Sequence, residues 1–196
     1  MKTCLVGCGG IAAVHGSVLT SDIDTEFVAA ADIKPEKAQT YAENFHTKPY
    51  PSLESMLEAE KPDVLHICTP HYLHVPMAIY SLERNINVFM EKPSAISFDQ
   101  LEELKKAAAK SDAQLGFCYQ NRYNASIRAA KDLIDSGKAG KVLGARAFVT
   151  WCRGAAYYTE SGWRGSLKTE GGGVLINQSV HTQDLLCFLL GDPTTV

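Results

Sequence analysis

The sequence opens with "MKTCLVGCGGIAAVHGSVLT", Met1 to Thr20, and this stretch predicts the kind of sheet that the chain forms. An apolar run predicts a short strand, three glycines follow it, and "IAAVHGSVLT" predicts a helix. The turn matches the pattern GxGxxG/A, in which Gly7 permits a tight turn, Gly9 lets the backbone approach a pyrophosphate, and Ala12 keeps helix and strand close. The alternative is an ordinary turn between a strand and a helix.

The runs that follow alternate between strand and helix patterns as far as about Tyr119. Such alternation predicts parallel strands joined by right-handed helical crossovers, and hence an α/β fold with a doubly wound, Rossmann-type sheet. We expect Ser52 and Ser97 to cap two of the helices. The predicted strands are "KTCLVG", "TEFVAAAD", "DVLHICTP", "INVFME" and "AQLGFCY", and the predicted helices after the first are "KPEKAQTYAENF", "SLESMLEAE", "VPMAIYSLERN" and "SFDQLEELKKAAAKSD".

The pattern changes near residue 120, where we place the boundary between a dinucleotide-binding domain, residues 1–120, and a second domain that starts at residue 121. Here "ASIRAAKDLIDSG" predicts a helix, "KVLGARAFVTWC" predicts a longer strand at 141–152, and an irregular segment leads to a last helix. That last stretch, "GGGVLINQSVHTQD", carries Asn177, His181 and Asp184 at spacings of four and three. In one helix these three side chains would share a face.

Composition and charge narrow the class of protein. The 196 residues are 45% hydrophobic and 21% charged, and the formal charge is −3, which gives no electrostatic case for a nucleic-acid or membrane-surface partner. The first apolar run is too short for a signal peptide, and no stretch approaches a membrane span. The six cysteines are scattered without a CxxC pair, so we expect free thiols and a cytoplasmic location rather than disulfides or a metal site.

Asp32 follows the second predicted strand, 20 residues beyond Ala12. A carboxylate at this place would bond the ribose hydroxyls of a dinucleotide and repel a 2′-phosphate, which favours NAD over NADP. The alternative is a solvated acid at a strand end. Lys34 lies two residues further on and could support a phosphate, so NADP remains open as the cofactor.

Lys92 lies in "FMEKPSA", at the carboxyl end of a predicted strand, where open α/β sheets bind their ligands. A lysine that precedes a proline there could reach the nicotinamide. The upstream segment "CTPHYLHVP" also leaves a strand end and places His71 and His74 in the predicted loop. These two histidines and His66 are the candidates for a metal site, but His66 lies within the strand and no fourth ligand is evident, so we predict no metal.

Six segments, taken together and in this order, resemble the Gfo/Idh/MocA family over the whole chain. The resemblance implies a Rossmann domain followed by an α/β domain built on a large open sheet. It also implies a dehydrogenase that acts on a carbinol carbon of a sugar, a sugar derivative or a cyclitol. The segments are "GCGGIA", "CTPHYLH", "EKP", "GFCYQNRYN", "GWRGS" and "GGGVLINQSVHTQDLL".

The resemblance also assigns roles to residues. The family's catalytic lysine corresponds to Lys92 and its catalytic histidine to His181. Its cofactor contacts correspond to Gly7, Gly9, Gly10, Ile11, Ala12, Asp32, Thr69, Pro70, His71, His74, Glu91 and Lys92. Its substrate cleft corresponds to Arg122, Trp163, Arg164, Asn177 and Asp184.

The chemistry of a carbinol oxidation fits these two catalytic assignments. A histidine, whose unperturbed pKa is roughly 6.5, suits the base that removes the hydroxyl proton. A lysine, whose reference pKa is roughly 10.4, suits a donor that stabilises the oxygen as it gains alkoxide character. Two positions depart from the family pattern, because many relatives have Asp in place of Asn177 and often Asn in place of His71.

In the family, further strands of the substrate domain would follow "LLGDPTTV", so we expect the second domain to be incomplete here. The strand predicted at 141–152 would then need a partner, most simply another subunit in a homo-oligomer. Three functional hypotheses stay open. They are an NAD-dependent sugar or cyclitol dehydrogenase, an inactive nucleotide-binding remnant or partner subunit, and an enzyme that uses bound NAD without net turnover.

Overall fold

The computed structural model describes residues 1–195. Contacts between residues divide the chain into two compact units, Met1–Cys118 and Tyr119–Val196. This division lies two residues before the boundary that the sequence suggests. No helix among the described residues has the length and apolar character that a membrane span requires.

The first unit is built on a six-stranded parallel sheet, which confirms the predicted α/β fold. The strand order is β3-β2-β1-β4-β5-β6, so the direction of winding reverses between β1 and β4. The edge strand β3 was not predicted, because it has three residues and its middle one, Pro49, usually marks an edge or a break. The strands are β1 (Lys2–Val6), β2 (Glu26–Ala31), β3 (Lys48–Tyr50), β4 (Val64–Ile67), β5 (Asn87–Met90) and β6 (Leu115–Phe117).

Five helices connect these strands, and their caps follow from the sequence. Ser52 Oγ accepts a hydrogen bond from the Ser55 amide at 3.2 Å, and Ser97 Oγ accepts one from the Gln100 amide at 3.2 Å. Both bonds satisfy a backbone donor that the helix itself leaves unpaired. The helices are α1 (Ala12–Ser21), α2 (Pro35–Phe45), α3 (Leu53–Glu60), α4 (His71–Leu82) and α5 (Phe98–Lys110).

Helix α4 begins earlier than the sequence suggested. His71 and His74 were predicted to lie in a loop, but both belong to the first turns of this helix. The helix begins here because Pro70 is extended and its carbonyl accepts the Leu73 amide at 3.0 Å, which closes the first turn. The two histidines are therefore held by regular backbone rather than by a loop.

The core lies on both faces of the sheet. Along β1, Cys4 and Val6 point into one apolar cluster and Leu5 points into the other, as the alternation of a strand requires. Burial raises the pKa of the Cys4 thiol to about 12, so this thiol stays neutral. None of the six cysteines forms a disulfide.

The described residues of the second unit form four α-helices and lack one strand that the sequence predicts. The segment predicted as a strand, 141–152, has no regular structure, and Leu143 and Phe148 on it are 91% and 81% exposed. The prediction was wrong because a strand exists only with a neighbour that completes its hydrogen bonds, and the described part of this unit offers none. The helices are α6 (Ala125–Asp135), α7 (Ala155–Thr159), α8 (Leu167–Glu170) and α9 (Val180–Leu190), and a 3₁₀ turn covers Gln120–Tyr123.

Candidate functional site

The turn between β1 and α1 requires glycine at its first position. Gly7 has φ +93°, and a Cβ built on it would lie 2.8 Å from the backbone of Cys68 and Thr69. Its amide donates to the Ala31 carbonyl at 2.8 Å. The turn is thus packed against the end of β4 and bonded to the end of β2, and no larger side chain fits.

Packing within the protein does not explain the glycines at positions 9 and 10. A Cβ at either position would meet no protein atom within 4 Å, so packing within the protein does not require glycine there. The space beside these two residues faces the start of α1, whose backbone N–H groups favour an anion. This arrangement fits the pyrophosphate of a dinucleotide. Ile11 is 41% exposed beside it, whereas Ala12 is fully buried under the helix.

Asp32 lies at the end of β2, next to the glycine turn. Its Oδ2 accepts a hydrogen bond from the Cys8 amide at 2.9 Å, and its Oδ1 accepts one from the Lys34 amide at 2.9 Å. The carboxylate is therefore oriented by two backbone donors and remains partly exposed. The bond between Asp32 and a ribose stays a prediction. The structure gives Asp32 a second role, because its bond to the Cys8 amide connects the glycine turn to the end of β2.

His74 joins the two loops that follow β4 and β5. The side chain is fully buried, with Nδ1 2.9 Å from the Pro93 carbonyl and Nε2 2.9 Å from the Thr69 carbonyl. Burial lowers the pKa of His74 despite these carbonyls, so the neutral ring donates to only one of them. The predicted cofactor contact of His74 would accordingly be made through the loops that it holds. His71 is also buried, at 4% exposure.

Glu91 and Lys92 follow β5 directly. Glu91 is 6% exposed; its Oε1 lies 3.0 Å from His15 Nε2, and its Oε2 accepts the Lys92 amide at 3.2 Å. Burial opposes the ionisation of Glu91, but the hydrogen bond and charge of His15, the hydrogen bond with Cys118 and the charge of Lys92 together lower the pKa of the carboxyl. Lys92 is half-buried and joined to Pro93 by a cis peptide bond.

In the second unit, Arg122 and Asp184 are paired with each other. Arg122 Nε donates to Asp184 Oδ2 at 2.7 Å, and Nη2 donates to Oδ1, so the guanidinium binds the carboxylate through both oxygens. The hydrogen bond that Arg122 donates to Asp184 raises the pKa of Arg122. His181, 7% exposed on α9, packs edge-on against Tyr119 at 6.2 Å between ring centroids. Arg122 thus orders the helix that carries His181.

The spacing suggested that Asn177 shares a helix face with His181 and Asp184. It does not, because α9 begins only at Val180. Its Nδ2 instead donates to the carboxylate of Glu170 and to the Tyr157 hydroxyl, the latter at 3.1 Å. Glu170 is 2% exposed and also accepts the Gly165 amide at 2.6 Å. These bonds hold residue 177 in the turn before the helix.

Trp163 and Arg164, the other two predicted cleft residues, lie next to Tyr157. The Arg164 guanidinium stacks 4.4 Å from the Tyr157 ring centroid and 4.5 Å from that of Trp163. No carboxylate of the described residues forms an ion pair with it. The stacking orients the cation without neutralising it.

Comparison with known proteins identifies the family. Residues 1–119 match the model of an oxidoreductase family with an NAD-binding Rossmann fold, and residues 127–196 match that of the GFO/IDH/MocA C-terminal domain. The chain belongs to the Gfo/Idh/MocA family. Its first unit is accordingly the family's NAD-binding Rossmann domain, which agrees with the room beside Gly9 and Gly10.

Several Gfo/Idh/MocA proteins resemble the chain along most of its length. It is 28% identical to D-glucoside 3-dehydrogenase of Escherichia coli, over 98% of this chain and 55% of that protein. The WlbA dehydrogenase of Chromobacterium violaceum, solved with NADH and UDP-GlcNAcA, is 33% identical with a TM-score of 0.93, and the match covers 97% of this chain and 55% of that one. The Bordetella pertussis WlbA dehydrogenase, solved with the same two ligands, is 32% identical with a TM-score of 0.93, at 97% and 55% coverage. The chain thus spans about half the length of these relatives.

Two residues that the sequence did not single out, and one that it considered only as a metal ligand, belong to the supporting structure of the site. His15 of α1 contacts Glu91, His66 of β4 contacts His15, and Glu170 lies beside Asn177. A histidine inside an apolar helix is the one signal that could have marked His15. The partners of all three are distant in sequence or joined by irregular backbone, and periodicity does not reveal such pairs.

Proposed function

We propose that the chain is the cofactor domain and part of the substrate domain of an NAD-dependent dehydrogenase that acts on a carbinol carbon of a sugar, a sugar derivative or a cyclitol. One observation carries the proposal. The glycine turn follows β1, Asp32 follows β2, the Thr69–His71 segment follows β4 and the Glu91–Lys92 pair follows β5. These four strands are neighbours in the sheet, so all four features lie at their carboxyl ends beside the switch point. The family membership supports the same reading.

The residues of the first unit would bind and orient the cofactor. The turn at Gly9 and Gly10 would hold the pyrophosphate, and Asp32 would bond the adenosine ribose and disfavour a 2′-phosphate. The two segments that His74 joins, Thr69–His71 after β4 and Glu91–Pro93 after β5, would line the nicotinamide end. When bound, the nicotinamide supplies the hydride acceptor or donor, and the chain supplies the groups around it.

Two side chains would act on the carbinol oxygen. His181 would accept the hydroxyl proton as general base, and Lys92 would donate a hydrogen bond to the oxygen as negative charge develops there. Asp184 would not act on the substrate itself in this account, because its carboxylate is engaged by Arg122. Asn177 has no carboxylate and would orient a ligand or a side chain.

Among sugars, we propose a nucleotide-linked sugar acid as the first substrate to test. The two WlbA dehydrogenases, which are 33% and 32% identical to the chain, were solved with NADH and UDP-GlcNAcA. The cation of Arg164, stacked on two rings, is a suitable partner for an anionic substrate. Unmodified sugars and cyclitols form the comparison panel.

Turnover in the complete gene product tests the proposal. NADH formation would be followed with UDP-GlcNAcA, UDP-GlcNAc, glucose and myo-inositol, in the wild type and in Lys92→Met and His181→Ala. We expect one sugar of the panel to be oxidised, and each substitution to cut kcat by about 10²-fold or more. The double variant should lose little more than the single ones, because both act on one oxygen. NADH binding without turnover of any sugar would favour a nucleotide-binding partner subunit instead.

A further inference from the structure

A chain of three polar side chains, two buried and one half-buried, lies at the carboxyl edge of the sheet. His15 of α1 lies between His66 of β4 and Glu91, with Nδ1 3.0 Å from His66 Nδ1 and Nε2 3.0 Å from Glu91 Oε1. His15 is 7% exposed and Glu91 is 6% exposed. Phe89 packs against both imidazoles, at 6.0 Å from His15 and 5.1 Å from His66. The dinucleotide motif does not require a histidine at residue 15, so the motif does not explain the contact between His15 and Glu91.

The protons of this chain can be assigned. Burial, with the nearby His15, lowers the pKa of His66 to about 4, so this ring is neutral at neutral pH. The carboxyl of Glu91 is ionised and can only accept. His15 must therefore carry a proton on Nε2 and donate it to Oε1. One Nδ1 must donate to the other: either His66 carries its single proton on Nδ1 and donates to His15, or His66 carries it on Nε2 and a His15 protonated on both nitrogens donates. In both cases Nε2–H of His15 bonds Glu91.

The carboxylate of Glu91 is in turn bonded to the residue after it. Its Oε2 accepts the Lys92 amide at 3.2 Å, and a hydrogen bond with Cys118 at the end of β6 also stabilises the ionised form. The ionisable groups facing Glu91 are thus His15, Lys92 and Cys118, together with Cys68 and His74, which interact with its charge. Among these groups, His15 makes the largest stabilising contribution to the anion. Without His15, the effect of burial, which raises the pKa of the carboxyl, would lose its largest opposing contribution.

We propose that His15 is a positioning residue, which holds the Glu91 carboxylate through Nε2–H and so fixes the backbone at Lys92. His66 contacts Nδ1 of His15 and so helps to fix the orientation of the His15 ring. The inference rests on the proposed function only for its effect on turnover. The hydrogen bond and its effect on the Lys92 amide are independent of any substrate.

Two substitutions of His15 separate positioning from packing. Glutamine places an amide N–H near the position of imidazole Nε2, whereas asparagine is shorter and reaches only the position of Nδ1. His15→Gln should keep the bond to Glu91 and His15→Asn should lose it, although both introduce a carboxamide into the same helix. Val18→Asn, on an exposed part of α1, is the matched control for the cost of asparagine in that helix.

The first measurement uses the 196-residue chain without cofactor. Nitrogen-15 NMR of its six histidines should show His15 protonated at Nε2 and His66 neutral through neutral pH. The Lys92 amide signal and its hydrogen-exchange rate should be unchanged in His15→Gln and altered in His15→Asn. An unprotonated His15 Nε2, or equal changes at Lys92 in both variants, would overturn the proposal even if the protein proves to be a dehydrogenase.

The second measurement uses turnover of the complete gene product. Loss of a hydrogen bond to a charged group predicts a fall of kcat by about tenfold or more in His15→Asn, with little change in KM for NAD. His15→Gln should restore most of the rate, and Val18→Asn should match the wild type. Equal loss in both His15 variants would indicate a packing role and contradict the inference. An inactive wild type would refute the proposed function and leave the NMR result to decide the role of His15.

A metal ion bound by His15, Glu91 and Cys118 is the alternative that must be tested. The ligand atoms of His15, Glu91 and Cys118 lie within 4.8 Å of one another, and such a set can bind Zn²⁺. Zinc would take the position of the proton on Nε2, so the two accounts exclude each other. Metal analysis of the purified protein should find no stoichiometric zinc, and added Zn²⁺ should leave the His15 signals unchanged at equimolar concentration. One tightly bound zinc per chain would overturn the proposal.

Discussion

At the scale of single residues, the sequence predicts positions whose reason is local and misses those whose reason is tertiary. Gly7 and Asp32 could be found because a tight turn and a strand-end carboxylate form part of a short motif. His15 could not, because its value depends on Glu91, 76 positions away. Asn177 was misplaced because a spacing of four describes a helix face only where the helix exists.

In the glycine turn, we expect Gly7 to be needed for stability and Gly9 to be needed for cofactor binding. Gly7→Ala should lower the free energy of unfolding by about 2–4 kcal/mol, because the new Cβ would lie 2.8 Å from the Cys68 backbone at a positive φ. Gly9→Val should barely change stability, because a Cβ there meets no protein atom within 4 Å, yet it should abolish NADH binding. Urea unfolding and calorimetric titration of both variants test this. Equal loss of stability in both would contradict it.

The charge of Asp32 should set the choice of cofactor. We expect the wild type to bind NADH more tightly than NADPH, because the carboxylate repels a 2′-phosphate. Asp32→Asn removes the charge and keeps one of the two oxygens that accept the backbone bonds. It should therefore narrow the difference between the affinities for NADH and NADPH. Calorimetric titration with NADH and NADPH measures both affinities, and Lys34→Ala serves as the companion variant. Tighter NADPH binding by the wild type would shift the assignment to Lys34.

At the scale of elements, the sequence predicts those whose boundaries carry their own signals. Ser52 and Ser97 mark helix starts, and both caps form as expected. The edge strand β3 and the start of α4 depend on neighbours that the local pattern does not contain. The segment 141–152 shows the opposite error, since a strand-like pattern has no partner strand in the described chain.

Glu60 ties three elements together and should make stability depend on acid pH. At the end of α3, its carboxylate accepts the Tyr50 hydroxyl at 2.6 Å and pairs with Lys48 of β3 and Lys2 of β1. These bonds lower its pKa from 4.5 to about 2. The stabilisation is therefore present above the unfolded pKa and is lost as pH falls through the folded value.

Thermal or urea unfolding across this range tests the role of Glu60. At neutral pH, Glu60→Gln should be less stable than the wild type, because the amide keeps the shape and loses the charge. The difference should shrink as pH falls from about 4.5 to about 2, where the wild-type carboxylate is also neutralised. Glu54→Gln, on the same helix, provides the control. A difference that stays constant down to pH 2 would contradict this account.

At the scale of the whole molecule, the segment 141–152 presents apolar side chains to solvent. Leu143, Phe148 and Trp151 are 91%, 81% and 57% exposed. We therefore expect the 196-residue chain to self-associate at micromolar concentration, and Phe148→Lys to weaken this without affecting NADH binding. Sedimentation velocity distinguishes the species. A monomeric wild type would show that this segment needs no covering partner.

The central claim is hydride transfer between a sugar carbinol and nicotinamide, and an isotope measurement tests it most directly. The complete gene product would be incubated with NAD and with UDP-GlcNAcA deuterated at its carbinol carbons, and the reduced cofactor would be analysed by mass spectrometry. The account predicts deuterium in the nicotinamide of NADH, and its loss in Lys92→Met. Binding of NADH with no deuterium transferred from this or any other sugar would contradict the account.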